Sequence, residues 1–172
     1  VGHDSSRAGA KLAFGKVLNA VPMFDQADVV LALDADFTSW APGHLRHARN
    51  FASRRRASAE KVKLSRLYSV DTSLTATSSM ADHRAAVKPS RVATIARVIA
   101  AELGLSAGPA PALKEDERKF VSLAVEDLKA AGSKALVVAG ETQPGYVHAL
   151  AHAINEKLGA FGQTVSLLAP AV

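Results

Sequence analysis

The chain has 172 residues, 48% of them hydrophobic and 22% charged, which suits a packed core and excludes a disordered polyelectrolyte. Its 21 basic and 16 acidic side chains leave a net charge of +5, compatible with an anionic partner. There is no cysteine, which excludes disulfides and a cysteine-ligated iron–sulfur cluster within these residues, and no apolar run approaches the roughly 20 residues of a membrane-spanning helix.

The polar start, VGHDSSRAG, lacks Met and reads as the beginning of an excised internal piece of a larger polypeptide, with residues 1–172 forming one domain. Residues 5–18 are Ala-rich and predict a helix of about three turns. A continuous apolar run, DVVLALD (28–34), then predicts a strand that ends in two carboxylates, Asp34 and Asp36. Pro42 and Gly43 introduce a helical segment, HLRHARNFASRRR, with Arg46, Arg49 and Arg56 near one stripe and Arg54 and Arg55 at its end. These arginines read either as the footprint of an anionic partner or as a solvated face whose last cations complement the helix dipole. No aromatic residue interleaves with them, so no nucleic-acid partner is expected.

LYSVD (67–71) is the second predicted strand, and the polar stretch 72–90 reads as a long irregular loop of the kind that often carries function. SRVATIARVIAAELG predicts a helix capped by Ser90, with Val92, Ile95, Ala96, Ile99 and Leu103 on one face and Gly104 at its stop. Residues 106–115 are Pro/Ala-rich and read as an exposed connector. A helix over 115–132 should bury Phe120, Leu123, Ala124 and Leu128. It leads to a strand over 135–140, a helix over 144–159 and a last strand over 164–170. Strands alternating with helices predict an α/β fold: a three-layer α/β/α Rossmann-like, doubly wound sandwich with a mainly parallel sheet of about four strands, 164–170 among them.

Ligands of such sheets sit outside the carboxyl ends of the strands. The rim candidates are therefore Asp34, Asp36, Asp71, Gly140, Glu141 and Thr142. On an extended strand Asp34 and Asp36 would share one side, which suits a divalent cation or the edge of a ribose or guanine. The alternative is a turn cap at Asp34 and a solvated Asp36. Glu141 reads as a general base or, more simply, a turn carboxylate. His44 with His47 and His148 with His152 have one-face helical spacing but no neighbouring carboxylate or Cys, so surface or core edge is the expected role and no metal site is assigned. His83, on the long loop, reads as loop surface or a ligand contact, the former preferred; Trp40, the lone tryptophan, reads by default as an ordinary packing residue, the alternatives being a crevice lining or a protein contact. The dinucleotide fingerprint G-x-G-x-x-G, the P-loop, the G-x-S-x-G elbow and H-E-x-x-H are all absent.

RLYSVDTSLTATSSMADHRAAVKPS resembles the segment of molybdopterin oxidoreductases in which a strand ends in Asp and a Thr/Ala-rich loop, an Ala-Asp pair and a basic-Pro step lead into a helix. Here these are Asp71, Thr75, Ala76, Ala81, Asp82, Lys88 and Pro89. ADVVLALDADFTSWAPGHLRHARNF and ALVVAGETQPGYVHALAHAINEKLGAFGQTV resemble the earlier and later strands of the same domain. The nearest form is the iron–sulfur and molybdopterin-like subunit of the bacterial quinol:cytochrome c oxidoreductase called alternative complex III. The resemblance implies a domain of a membrane-associated respiratory electron-transfer complex, on the periplasmic face. Its partners would be the rest of the parent polypeptide and other redox subunits, without direct membrane insertion. It also implies a molybdopterin guanine dinucleotide in cofactor-bearing members, with Asp71 and Asp82 on the nucleotide side and Asp36 and Thr38 in place of the usual Asn-Pro. An ionised Asp36 presents only acceptors where an Asn amide donates, and Pro89-Ser90-Arg91 lacks the usual Gly-Thr-Asp. These departures imply a degenerate, structural relative with no catalytic residue and no cofactor in this stretch. The alternatives are an active dinucleotide-binding domain or a stand-alone small-ligand or metal-binding module.

Overall fold

A computed structural model describes residues 4–57, 64–106, 108–109 and 111–170; residues 107 and 110 of the predicted connector lie outside this set. The elements run α1 (Asp4–Phe14), β1 (Asn19–Pro22), β2 (Val29–Leu33), α2 (His44–Arg54), β3 (Arg66–Asp71), α3 (Ala76–Ser79), β4 (His83–Ala86), α4 (Pro89–Glu102), α5 (Glu115–Ala131), a 3₁₀ turn (Gly132–Lys134), β5 (Ala135–Ala139), α6 (Gly145–Leu158) and β6 (Val165–Leu168). The main sheet has the order β4-β3-β2-β5 and every pairing is parallel. The chain steps outward from β2 to β3 to β4, then returns to the far side of β2. That reversal makes the β2–β5 boundary the topological switch point.

All five residues of β2 are buried, as a central parallel strand covered on both faces requires. Val29, Leu31 and Leu33 join Tyr68, Val70, Ala135 and Val137 beneath α4, α5 and α6. Val30 and Ala32 point the other way, into Phe24, Phe37, Phe51, Leu67, Leu136 and Val165. The fold is thus the Rossmann-like α/β/α sandwich, with α4, α5 and α6 on one face. The second face is covered by α2 and by a two-stranded antiparallel ribbon of β1 and β6.

The structure corrects several expectations. The segment 164–170 does not extend the parallel sheet: β6 pairs with β1, a strand absent from the sequence reading. The physical reason lies at the outer edge of β5. There the Asn155 side chain of α6 accepts from the Val137 N–H at 2.9 Å and donates to the Val137 carbonyl at 2.8 Å, and the Thr164 hydroxyl donates to the Ala135 carbonyl at 2.5 Å. A strand cannot add to an edge already filled. The fourth parallel strand is instead β4, inside the stretch read as irregular loop; it also contains the short α3. His83 accordingly lies on this edge strand, its ring stacked on Tyr68 at 4.7 Å, rather than on loop surface.

The predicted face of α4 is buried, but its N-cap is Lys88, with Pro89 in the first turn, not Ser90. On α5 the stripe includes Val121 and Val125 and leaves Leu123 47% exposed. Trp40 is not packed: it is 65% exposed.

Candidate functional site: the carboxyl rim of the sheet

The turns that leave β2, β3 and β5 build the rim. β2 stops at Leu33, and Asp34 adopts φ 53°, the single non-glycine residue with positive φ among those described. Left-handed backbone is tolerated by Asp better than by most side chains; here the carboxylate meets donors distant in sequence. The period-two alternation is thereby broken, so Asp34 and Asp36 do not face one ligand as the extended-strand reading expected. Each binds a different set of donors.

The Asp34 carboxylate ties three loops together. It accepts from the Thr72 N–H at 3.1 Å and hydroxyl at 3.2 Å, after β3, and from the Thr142 hydroxyl at 2.7 Å and Gln143 side-chain amide at 2.9 Å, after β5. Four donors fill its acceptor positions. Beside it, the Gly140 N–H donates to the Leu33 carbonyl at 3.0 Å, so the switch point is closed by backbone contact.

Asp36 makes the second knot. It accepts from the Thr77 N–H at 3.2 Å and hydroxyl at 2.8 Å, from the Thr38 hydroxyl at 3.5 Å, and from the Ser39 hydroxyl. The Thr38 N–H donates to the Thr77 hydroxyl at 3.1 Å, so Thr38 joins the β2–α2 loop to α3. Burial pushes the Asp36 carboxyl up, but the Ser39, Thr77 and Thr38 donors outweigh it and hold the group below its usual range. The expectation of a solvated Asp36 is thus replaced by a loop clamp.

Asp71, 2% exposed, receives a two-pronged guanidinium from Arg84 of β4, at 3.1 and 2.7 Å, and the Ser69 hydroxyl at 3.2 Å. Glu141 lies at the first turn of α1, accepting from the Ser6 N–H at 3.4 Å, and its charge opposes the burial that pushes His148 below its ordinary value. Asp82 is elsewhere. It accepts from the Leu67 N–H at 2.7 Å and from Arg55 at 2.6 and 3.0 Å, at the amino ends of the strands. Asp82 and Asp71 therefore cannot contact one compact group at the rim.

The strand ends place Asp34, Asp36, Asp71, Gly140, Glu141 and Thr142 along the rim, as strand-end reasoning expects; Thr38, named from the resemblance, joins them through the loop after β2, and Asp82 is separated from them. Sequence reasoning missed the donors: Thr72, Thr77, Arg84 and Gln143. Thr72 and Gln143 each lie within three residues of a strand-end candidate, and that proximity is the signal that could have found them. No group of three or more His, Asp or Glu side chains able to hold a metal ion occurs among the described residues. His47 packs on Phe24 at 5.2 Å and His152 on Phe14 at 5.0 Å, both as core-edge rings.

No protein-family model and no curated protein matches the chain. The rim's own chemistry limits its role. Its carboxylates accept from the protein's hydroxyls, amides and guanidinium, and they lock the loops after β2, β3 and β5 into one surface.

Asp34→Ala should destabilise the chain by about 3 kcal/mol, from the loss of a carboxylate with four donors and the strain of alanine at positive φ. Asp34→Gly, which removes the strain but not the lost bonds, should recover about 1 kcal/mol of this. Urea midpoints at constant slope check both; equal midpoints for Ala and Gly would show that the backbone strain contributes nothing.

Acid should weaken the fold in two stages. Burial, then the neighbouring His148, pushes His152 down to about 4 from its ordinary 6.5. Between these values the unfolded chain binds a proton that the folded chain does not. Stability is therefore full above pH 6.5 and falls by on the order of 2 kcal/mol as pH drops toward 4. Below that, Asp36 and Glu117 add to the loss. Arg91, the largest influence on Glu117, holds that carboxyl down, as the hydroxyl donors hold Asp36. Urea melts across this range should show a monotonic decline, and His152→Phe should make its upper half shallower, leaving the part due to His47 and His148, which burial also pushes below their ordinary value.

Proposed function

We propose that this chain is a structural and assembly domain of a molybdopterin-oxidoreductase-like subunit in a membrane-associated respiratory electron-transfer complex, with a degenerate nucleotide crevice. The subunit and its complex come from the sequence resemblance; the observation that supports the degenerate crevice is the closed rim. The place where a Rossmann-like sheet receives a ligand is occupied by the protein's own hydrogen bonds: four to Asp34, the clamp on Asp36 and the guanidinium on Asp71. A guanine needs an acceptor for its N1–H and N2–H groups. Asp71, the position that the resemblance assigns to the nucleotide, has both oxygens on Arg84. Asp82, the other assigned position, has both on Arg55. These residues fit a molybdopterin guanine dinucleotide poorly, so no catalytic step is assigned through it.

The test is elemental analysis of the intact parent complex purified from its native membrane. The expected result is molybdenum far below one atom per subunit, with the subunit present and the complex active in electron transfer. Stoichiometric molybdenum would overturn the reading in favour of an active cofactor-binding domain. That alternative also requires the 172-residue chain to bind GDP in a way that Asp71→Ala abolishes, whereas calorimetry is expected to detect no binding.

A further inference from the structure

Helix α2 turns His47 and Phe51 into the core and leaves Leu45, Arg46, Arg49, Ala52 and Ser53 exposed on one arc, with exposed Arg56 just past its end. Residues 37–57 carry five of the chain's 11 arginines, none of its 10 lysines and no Asp or Glu. Two of the five are committed, Arg54 to Asp28 and Arg55 to Asp82. None of the ion pairs among the described residues involves Arg46, Arg49 or Arg56. At the amino end of the same helix Trp40 and Leu45 are 65% and 77% exposed.

We propose that this face docks onto an acidic protein surface. Charge sets the sign of the partner: three cations with no intervening acid seek carboxylates. The choice of residues sets its class. Protein interfaces are enriched in Trp and Arg and depleted in Lys, Asp and Glu, and their strongest contacts are Trp and Arg anchors. A guanidinium also pairs with carboxylates through two parallel hydrogen bonds and sheds water more readily than an ammonium. Lipid headgroups and nucleic-acid backbones attract lysine as well as arginine, so they do not explain a stretch with only the latter. The partner surface would present carboxylates to Arg46, Arg49 and Arg56 and a shallow apolar seat for Trp40 and Leu45. This would be one contact of the assembly role proposed above, but its test does not depend on molybdenum content.

Trp40 is the chain's one tryptophan, so its fluorescence reports directly on this face. The 172-residue chain would be titrated with three probes: a soluble peptide of Glu-Glu-Leu-Glu repeats, vesicles of phosphatidylcholine with one quarter phosphatidylglycerol, and an oligo-thymidine strand. The peptide should shift Trp40 emission to the blue, bind more tightly than either other probe, and weaken as salt rises. Arg46→Glu with Arg49→Glu should reduce peptide affinity at least about tenfold, while circular dichroism and the urea midpoint stay at the parent values. Arg46→Lys with Arg49→Lys should keep only part of the binding. Tighter binding to vesicles or to the oligonucleotide would overturn the proposal in favour of a membrane or nucleic-acid face. So would no shift with the peptide, or a shift indifferent to charge reversal.

Discussion

Gly140→Ala should destabilise the chain by at least about 3 kcal/mol, at the upper end of what overpacking costs in a well-packed interior. A Cβ built at Gly140 would lie 1.9 Å from the Asp34 carbonyl oxygen and 2.7 Å from its carbon, both backbone atoms. No rotamer change relieves such a contact. The strands would have to part, yet the Gly140 N–H bonds to the Leu33 carbonyl in the same place, and β2 is buried along its whole length. Separating the two backbones would also pull Thr142 and Gln143 away from Asp34, so the substitution undoes the rim knot as well as the packing. A matched control is Gly15→Ala. Gly15 has positive φ but open space around it, so only the backbone strain of about 1 kcal/mol applies. Urea unfolding of the two variants checks the contrast. A Gly140→Ala protein that melts with the Gly15→Ala control would mean that β2 and β5 part easily at the switch point.

Asn155→Ala should cost about 3 kcal/mol and should also make the chain self-associate. Asn155 is 2% exposed, and its amide satisfies both backbone groups of Val137 on the outer edge of β5. Removing it leaves a buried N–H and a buried carbonyl without partners, each costing about 1–3 kcal/mol, partly offset where water enters. It also uncovers an edge that can pair with another strand. Asn155→Asp should be similarly harmful, because the acceptor remains while the donor to the Val137 carbonyl is lost and a charge is buried. Urea midpoints measure the first effect and light scattering at rising protein concentration the second. A monomeric Asn155→Ala protein with the parent's midpoint would remove the amide from its role as edge cover.

Much of this fold was written locally. Val29–Leu33 and Ala135–Ala139 are continuous apolar runs, and Leu67–Asp71 is interrupted only by Ser69 before its terminal Asp; segments of that kind suit burial between two covering layers. The Ile95/Ile99 and Ala124/Leu128 repeats fixed the helical faces, and Gly104, Gly132 and Gly159 fixed three helix ends. The convergence of Asp34, Asp36, Asp71 and Gly140 on one rim came from the parallel order of those strands alone.

The contacts of the rim's carboxylates, by contrast, were decided by tertiary structure. Thr72, Thr142 and Gln143 reach Asp34 across sequence separations of 38, 108 and 109 residues, and no periodicity encodes such a meeting. The left-handed turn at Asp34 sends Asp34 and Asp36 to different partners, all of those of Asp34 distant in sequence. The last strand went to β1 rather than to β5 because Asn155 and Thr164 had already taken the edge. Local patterning determines which segments are buried and in what conformation, since burial and backbone bonding are satisfied residue by residue. Which edge a strand joins, and whether a carboxylate is free or tied, depends on long-range competition for hydrogen-bonding groups, and only the packed structure resolves it.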